Sequence, residues 1–403
     1  MKTIYLDYSS TTPTRKEVLK EALPYFTKDY GNPSSFHSTG LVAKKAMSGA
    51  REKIAGILHA KPEEIIFTGS GTESINLALK GIAFNAMMHG KKGIFITQKT
   101  EHHAVFETMD WLAKLGFEII NVKIDEFGVV DLSDLQKLLE ENKGNVLLVS
   151  IMYANNEIGT IQPIREIADI CHEYEVLMHT DACQGAEYLN LNIDDLGVDM
   201  MTLNGSKIYA FKGTGLLYKK SGLKIEPLIH GGAHEYGMRA GTENIAGIVA
   251  FAKALEIAEK EKKKESLRLT KLRDYLIKKI QKEIPNTLLN GHPKKRLPNN
   301  VNISFEGVEG ESILLRLNEL GIRVSTGSAC SSQSLDPSHV LLGIGRPHGL
   351  AHGSIRFSLG HETTKTQLDY TIKNLIGIIK FLREISPVWE KNDWKRKIRG
   401  RGK

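Results

Sequence analysis
A short apolar run that breaks into polar residues and then into an amphipathic stretch recurs along the first half of this chain. "EIIFTGSGTESINLALKGIA" reads as a strand from Ile65 to Phe67, a Gly/Ser/Thr loop and a helix beginning near Glu73. "GIFITQKTEHHAVFETMDWLAKLG" and "NVLLVSIMYANNEIGTIQPIREIADICHEY" repeat the plan, and "VLMHTDACQG" and "VDMMTLNGSK" are further apolar strands running into polar residues. This alternation predicts an α/β domain on a mostly parallel sheet. Ligands of such sheets bind outside the carboxyl ends of the strands. The residues that follow the strands here are rich in chemistry: Thr72, His102, Asn155, Asp181, Gln184 and Lys207.

A chain of 403 residues exceeds one hydrophobic core, so two domains are expected. The large one is read over residues 15–260. A smaller α+β domain is read over 1–14 together with 261–387. A long helix from Ala252 to Ile284, apolar at helical spacing with Lys and Glu between, bridges them. "NNVNISFEG" and "GSIRFSLG" alternate like antiparallel strands of the smaller domain. Formal charge is 54 − 47 = +7, and the stretch Lys391 to Lys403 alone carries seven Lys/Arg and one Asp. The body is therefore close to neutral and need not bind polyanions. The tail over 388–403 reads as solvated and disordered, the sharper alternative being a weak contact to RNA or an acidic partner. Three cysteines make no disulfide framework, which points to a reducing compartment, the cytoplasm. No apolar run is long enough to span a membrane, and no signal peptide is expected at the start.

Several short motifs carry chemistry. "TGSGTES" is a glycine-rich turn opening a helix, where backbone N–H groups and the helix dipole favour an anion. It lacks the Lys-Ser/Thr of a nucleotide P-loop, and a plain helix cap reads the same way. "LMHTDACQG" puts Asp181 at the end of an apolar strand. A buried carboxylate needs a partner, either a satisfied structural one or a protonated pyridine nitrogen. "NGSKIYAFKGTG" puts Lys207 just past another apolar strand, where a lysine can form a Schiff base. "TEHHAV" offers His102, whose flat ring could stack on a flat cofactor. A phosphate cradle, a stacking ring, a pyridinium partner and a Schiff-base lysine, in that chain order, are the requirements of pyridoxal 5′-phosphate.

At this point the sequence resembles a known family. "YLDYSSTTP", "GNPSSFHSTG", "NNEIGTIQPI", "HTDACQG", "GMRAGTEN", "STGSACSSQSLDPSHVLLGIG" and "GSIRFSLG" are together similar to the NifS/IscS-like cysteine desulfurases of the class V aminotransferases. The resemblance covers nearly the whole chain up to Pro387. It implies the pyridoxal-phosphate transferase fold type I and a homodimer that converts L-cysteine to L-alanine. It also implies roles, residue by residue. Lys207 would hold the cofactor covalently. Gly71 and Thr72 would bind its phosphate, His102 would stack on its ring, and Asp181 would pair with the ring nitrogen. Gln184 would reach the ring hydroxyl. Asn155 would contact cofactor and substrate, and Thr242 would reach the neighbouring subunit's phosphate. Arg356 would form a bidentate pair with the substrate carboxylate. Where the family reads Ser-x-His-Lys, this chain reads Asn204-Gly205-Ser206-Lys207, and Asn204 and Ser206 remain phosphate donors without the imidazole. Ala210-Phe211 stands for the family's Gly-Pro, and Tyr236 for an Arg.

Cys330 sits among Gly, Ser, Thr and Ala, although free cysteine is among the most buried residue types. The resemblance explains the placement. Its thiolate would take the substrate's sulfur as a persulfide. A loop of small polar residues would then permit delivery to an acceptor protein, an iron–sulfur scaffold or a tRNA-thiolating enzyme. Cys171 and Cys183 read as structural, and His103 as solvated. His230 and His234 are separated by glycines and lack a third ligand, so no metal site is assigned. Two other readings compete: a selenocysteine lyase-like enzyme, and a degenerate non-catalytic subunit that partners a desulfurase.

Overall fold
The computed structural model describes residues 3–326, 337–387 and 389; Cys330 and nearly all of the basic tail lie outside them. The central sheet has seven strands: β2 (Ile65–Thr68), β3 (Ile94–Thr97), β4 (Glu118–Asn121), β5 (Val146–Ser150), β6 (Leu177–Asp181), β7 (Met200–Asn204) and β8 (Gly215–Lys219), in the spatial order β2-β8-β7-β6-β5-β3-β4. The run from β4 to β7 is parallel, and only β8 opposes its neighbours β7 and β2. The carboxyl ends of β2, β3, β5, β6 and β7 therefore lie on one edge of the sheet, as the alternating pattern predicts.

Both faces of this sheet are covered, which is why its strands read as continuous apolar runs. Successive residues enter opposite cores. Ile65 and Phe67 pack in a cluster with the helices Ser38–Leu58 and Ile164–Glu173, whereas Ile66 packs with the helices Gly71–Met88 and His103–Lys114. Each fully buried Ile or Phe of this kind contributes about 1.5–3 kcal/mol.

A third cluster encloses two smaller sheets. In one, β10 (Asn300–Phe305) lies between β9 (Thr287–Leu289) and β12 (Ser354–Ser358), antiparallel to both; in the other, β1 (Ile4–Tyr5) pairs in parallel with β11 (Ile322–Arg323). The long helix runs from Ile245 to Glu283, beginning before the expected Ala252. Its Ala250 and Phe251 pack in the first cluster, and Leu269, Leu276 and Ile280 in the third. The amino-terminal segment also joins the two regions. Asp7 bridges to Ser358, and a few residues on the Thr12 N–H donates to the carbonyl of Ser206 at 3.0 Å. No described helix is long and apolar enough to cross a membrane.

Candidate active site
The strand ends surround a cavity of ≈ 200 Å³. Its floor is the entry to the helix Gly71–Met88. Ser70 caps that helix, its Oγ accepting the Glu73 N–H at 3.1 Å, and β2 ends at Thr68 just before it. First-turn amides have no intrahelical acceptor, so Gly71 and Thr72 present N–H groups at the positive end of the helix dipole. A Cβ added to Gly71 would lie 2.9 Å from Cys183 Sγ and 3.2 Å from Asn204 Cβ, so glycine is the residue that keeps this floor open.

Asp181 closes β6. It is 5% exposed, its Oδ1 accepts the Cys183 N–H at 3.0 Å, and it lines the cavity. His102 is the N-cap of the helix His103–Lys114, with Nδ1 accepting the Ala104 N–H at 3.0 Å. That bond leaves the ring proton on Nε2 in the neutral imidazole. Burial lowers its pKa, the Asp181 carboxylate opposes this, and the nearby Lys207 adds to the lowering. A neutral ring is suited to stacking.

Lys207 ends a short 3₁₀ turn after β7, and its Nζ donates to the carbonyls of Ser9 at 2.9 Å and Ser10 at 2.6 Å. Gln184 lines the same space and donates from Nε2 to Ser9 O at 2.9 Å. Arg356, in β12, reaches the cavity from the smaller sheet. One cavity thus gathers Gly71, Thr72, His102, Asp181, Gln184, Asn204, Lys207 and Arg356.

Three expected residues are elsewhere. Asn155 is buried behind the wall. Its Nδ2 donates to Thr100 O at 2.7 Å and its Oδ1 accepts the N–H groups of Glu157 and Ile158, so it fixes a turn that puts the neighbouring Asn156 on the cavity. Ser206 does not line the space; its hydroxyl donates to Asn204 Oδ1 at 3.2 Å. Thr242 is exposed and borders a different cleft, beside Arg239 and Glu243. Cys330 lies outside the described residues.

Of the other cysteines, Cys171 is fully buried, its thiol pushed up to about 12 by burial. Cys183 is also buried, its thiol raised by burial and by the neighbouring Asp181 carboxylate, yet it lines the cavity. His103 is less solvated than expected: its ring packs on His339 with centroids 4.6 Å apart. No group of three or more His, Cys, Asp or Glu able to hold a metal occurs among the described residues.

Sequence reasoning passed over Asp7, Ser9, Ser10, Met152 and Asn156. Ser9 and Ser10 act through backbone carbonyls, which no side-chain pattern reveals. Asn156 was signalled by its neighbour Asn155. Glu101 was also missed. It is buried, with Oε1 accepting from Met152 N at 2.7 Å and Gln98 Nε2 at 2.9 Å, and burial pushes its carboxyl up to about 8. It ties the loop that carries His102 to the backbone at Met152.

The donor set fits pyridoxal phosphate. A helix terminus with a floor that excludes a Cβ suits the phosphate, Asp181 suits a cationic ring nitrogen, and Lys207 suits the aldehyde carbon. Together with the parallel sheet, this defines a pyridoxal-phosphate enzyme of fold type I.

The comparisons narrow the class. A family model for class-V aminotransferases matches residues 4–371. The cysteine desulfurase IscS of Dictyoglomus turgidum is 53% identical over 392 residues, covering 97% of this chain and 98% of its own. Among solved structures, a NifS-like protein matches with a TM-score of 0.88 and 37% identity, covering 94% of this chain and 100% of its own. SspA in complex with cysteine matches with a TM-score of 0.77 and 35% identity, covering 89% and 99%. This chain belongs to the class-V aminotransferase family, in its NifS/IscS-like cysteine desulfurase group, whose members depend on pyridoxal phosphate.

Proposed function
We propose that this chain converts L-cysteine to L-alanine and carries the released sulfur as a persulfide on Cys330. The observation that carries the reading is the convergence of Lys207, Asp181, His102 and Arg356 on one cavity. Relatives named cysteine desulfurase, and a similar structure solved with cysteine, support the substrate.

When bound, pyridoxal phosphate supplies an electron sink for bonds at the substrate's Cα. Gly71 and Thr72 hold its phosphate at the helix terminus, with Asn204 on the facing wall and Ser206 acting through Asn204. Asp181 keeps the ring nitrogen protonated, His102 stacks on the ring, and Gln184 faces its edge. Asn155 serves both ligands by holding the Asn156 turn. Arg356 binds the substrate carboxylate. Lys207 Nζ would anchor the cofactor and would take the Cα proton; the Ser9 and Ser10 carbonyls aim it. The Cys330 thiolate would then attack the substrate sulfur: the S–S bond forms as the Cβ–S bond breaks, the bonding pair stays with the carbon skeleton, and protons returned to Cβ and Cα give alanine.

The acceptor is a protein serving iron–sulfur cluster assembly or tRNA thiolation, and the setting is the cytoplasm. The working unit is a homodimer, in which Thr242 completes the neighbour's phosphate site. Its exposed place away from its own chain's cavity supports this, as do Leu23, Phe26, Tyr30 and Phe36, apolar residues 56–94% exposed near the amino terminus. The two regions divide as domains near residues 14 and 260. The test is Lys207→Ala, which should abolish both alanine formation and the visible absorbance of the bound cofactor. Normal alanine output from this variant would sink the assignment.

A further inference from the structure
Arg356 is 3% exposed, so its charge needs partners. Nη2 donates to Asp7 Oδ1 at 2.8 Å and to Ser10 Oγ at 2.6 Å, and Nη1 donates to Asn156 O at 3.2 Å. Nε is buried and has no partner among the described residues. Asp7 is the carboxylate in ion-pair contact with it among those residues, and Ser10 Oγ also donates to Asp7 Oδ1 at 2.9 Å. Glu157 lies close enough for its charge to be felt by Arg356. However, burial pushes its carboxyl up to about 7 and its Oε2 accepts from Ser338. The resident counter-charge is therefore Asp7.

A guanidinium offers a carboxylate two forked edges, Nη1/Nη2 and Nε/Nη2. Both use Nη2, which already donates to Asp7 and to Ser10. An incoming carboxylate that binds in bidentate fashion must compete with Asp7 and Ser10 for Nη2.

We infer that Asp7 is a built-in competitor and positioning residue for the substrate carboxylate site: it holds Arg356 aimed and neutralised when the site is empty, and gives up Nη2 when an amino acid binds. This rests on the assignment of Arg356 to the substrate carboxylate. Asp7 is suited to the exchange because its side chain is 20% exposed and can take up water on release, while Ser10 Oγ still donates to it. The exchange also sits beside the reaction. The same Ser10 that contacts Arg356 through Oγ accepts from Lys207 Nζ through its carbonyl. The consequence is that Asp7 weakens the binding of every small carboxylate, product included, and so favours release of alanine.

The charge can be separated from the geometry. Asp7→Asn keeps an acceptor for Nη2 and Ser10 and removes only the charge; Asp7→Ser is a second neutral variant, and thermal unfolding shows that each is folded. L-Alanine is titrated calorimetrically into the holoenzyme, and kcat and KM for L-cysteine are measured beside it. The expected result is L-alanine binding about tenfold tighter, on the scale of one charge removed at ion-pair range. KM should fall in step, and kcat should not rise. Arg356→Ala is the control. If it loses alanine binding while the neutral Asp7 variants bind alanine no tighter than wild type, the role of Asp7 is overturned and that of Arg356 stands. If Arg356→Ala binds alanine normally, the carboxylate site is elsewhere and both assignments fall.

Discussion
Gly71→Ala tests how tightly the floor of the cavity is built. The added methyl would sit 2.9 Å from Cys183 Sγ, 3.2 Å from Asn204 Cβ and 3.4 Å from Asn204 Nδ2. Unstrained carbon contacts lie at roughly 3.5–4.0 Å, so a neighbour must move by several tenths of an ångström. Neither moves freely. Cys183 is buried against Asp181 and Thr202, and Asn204 Oδ1 accepts from both the N–H and the hydroxyl of Ser206. Overpacking of this kind costs about 1–3 kcal/mol. Removing the sulfur with Cys183→Ala should by itself cost about 1 kcal/mol for the void. In the double variant the methyl fills part of that void, so the two costs should fail to add by about 1–2 kcal/mol. Urea unfolding of the four proteins of this cycle, with cofactor affinity followed by absorbance, measures both effects. Cofactor affinity should fall in Gly71→Ala and recover in part in the double variant. A neutral Gly71→Ala, or strict additivity with Cys183→Ala, would show that Cys183 and Asn204 do not pack tightly against this floor.

Two further outcomes follow from buried charges. Glu101 carries a folded-state pKa near 8, above the roughly 4.3 of an unfolded glutamate, so its stabilising contribution is present below the lower value and is lost as pH rises through the higher. Glu101→Gln keeps the two accepted hydrogen bonds and should lose less stability than wild type between pH 5 and pH 9 in urea unfolding; equal pH slopes would contradict this. Arg51 makes two hydrogen bonds to Glu235, whose side chain is 2% exposed and also accepts from Phe67 N. Arg51→Met strands that carboxylate and should cost about 3–5 kcal/mol, with most of it regained in Arg51→Met/Glu235→Gln. A single variant within about 1 kcal/mol of wild type would show that the pair is not what holds the segment to β2.

The site was legible where chemistry follows directly from local order. Asp181, Lys207 and Thr72 each lie within a few residues of an apolar strand, and parallel strands bring their ends to one edge. Period and polarity are local properties, so these positions could be read without knowing the partners. The contacts that aim the groups are not local. Arg356 and Asp7 are 349 positions apart, and Lys207 meets Ser10 across 197. Such pairs depend on β1 joining β11 and on Asp7 bridging to Ser358, registers that no single segment specifies. Asn155 follows β5 as the pattern predicts, but its Nδ2 donates to Thr100 O and its Oδ1 accepts from Glu157 and Ile158 of its own turn, and the residue beside it faces the cavity. The place of Ser206 in the motif implies a direct phosphate donor, whereas its hydroxyl turns to Asn204. Strand β8 was not read as an element, and it is the one strand of the central sheet that runs against its neighbours.

The proposed function turns on sulfur leaving cysteine onto Cys330. It is tested most directly by adding ³⁵S-labelled L-cysteine to the holoenzyme without reductant, trapping thiols with an alkylating reagent and mapping the labelled peptide. Reducible label is expected on the peptide containing Cys330 and none on those containing Cys171 or Cys183, with loss of label and of alanine formation in Cys330→Ser while the cofactor stays bound. Label on Cys171 or Cys183, or alanine formed at the wild-type rate by Cys330→Ser, would contradict it.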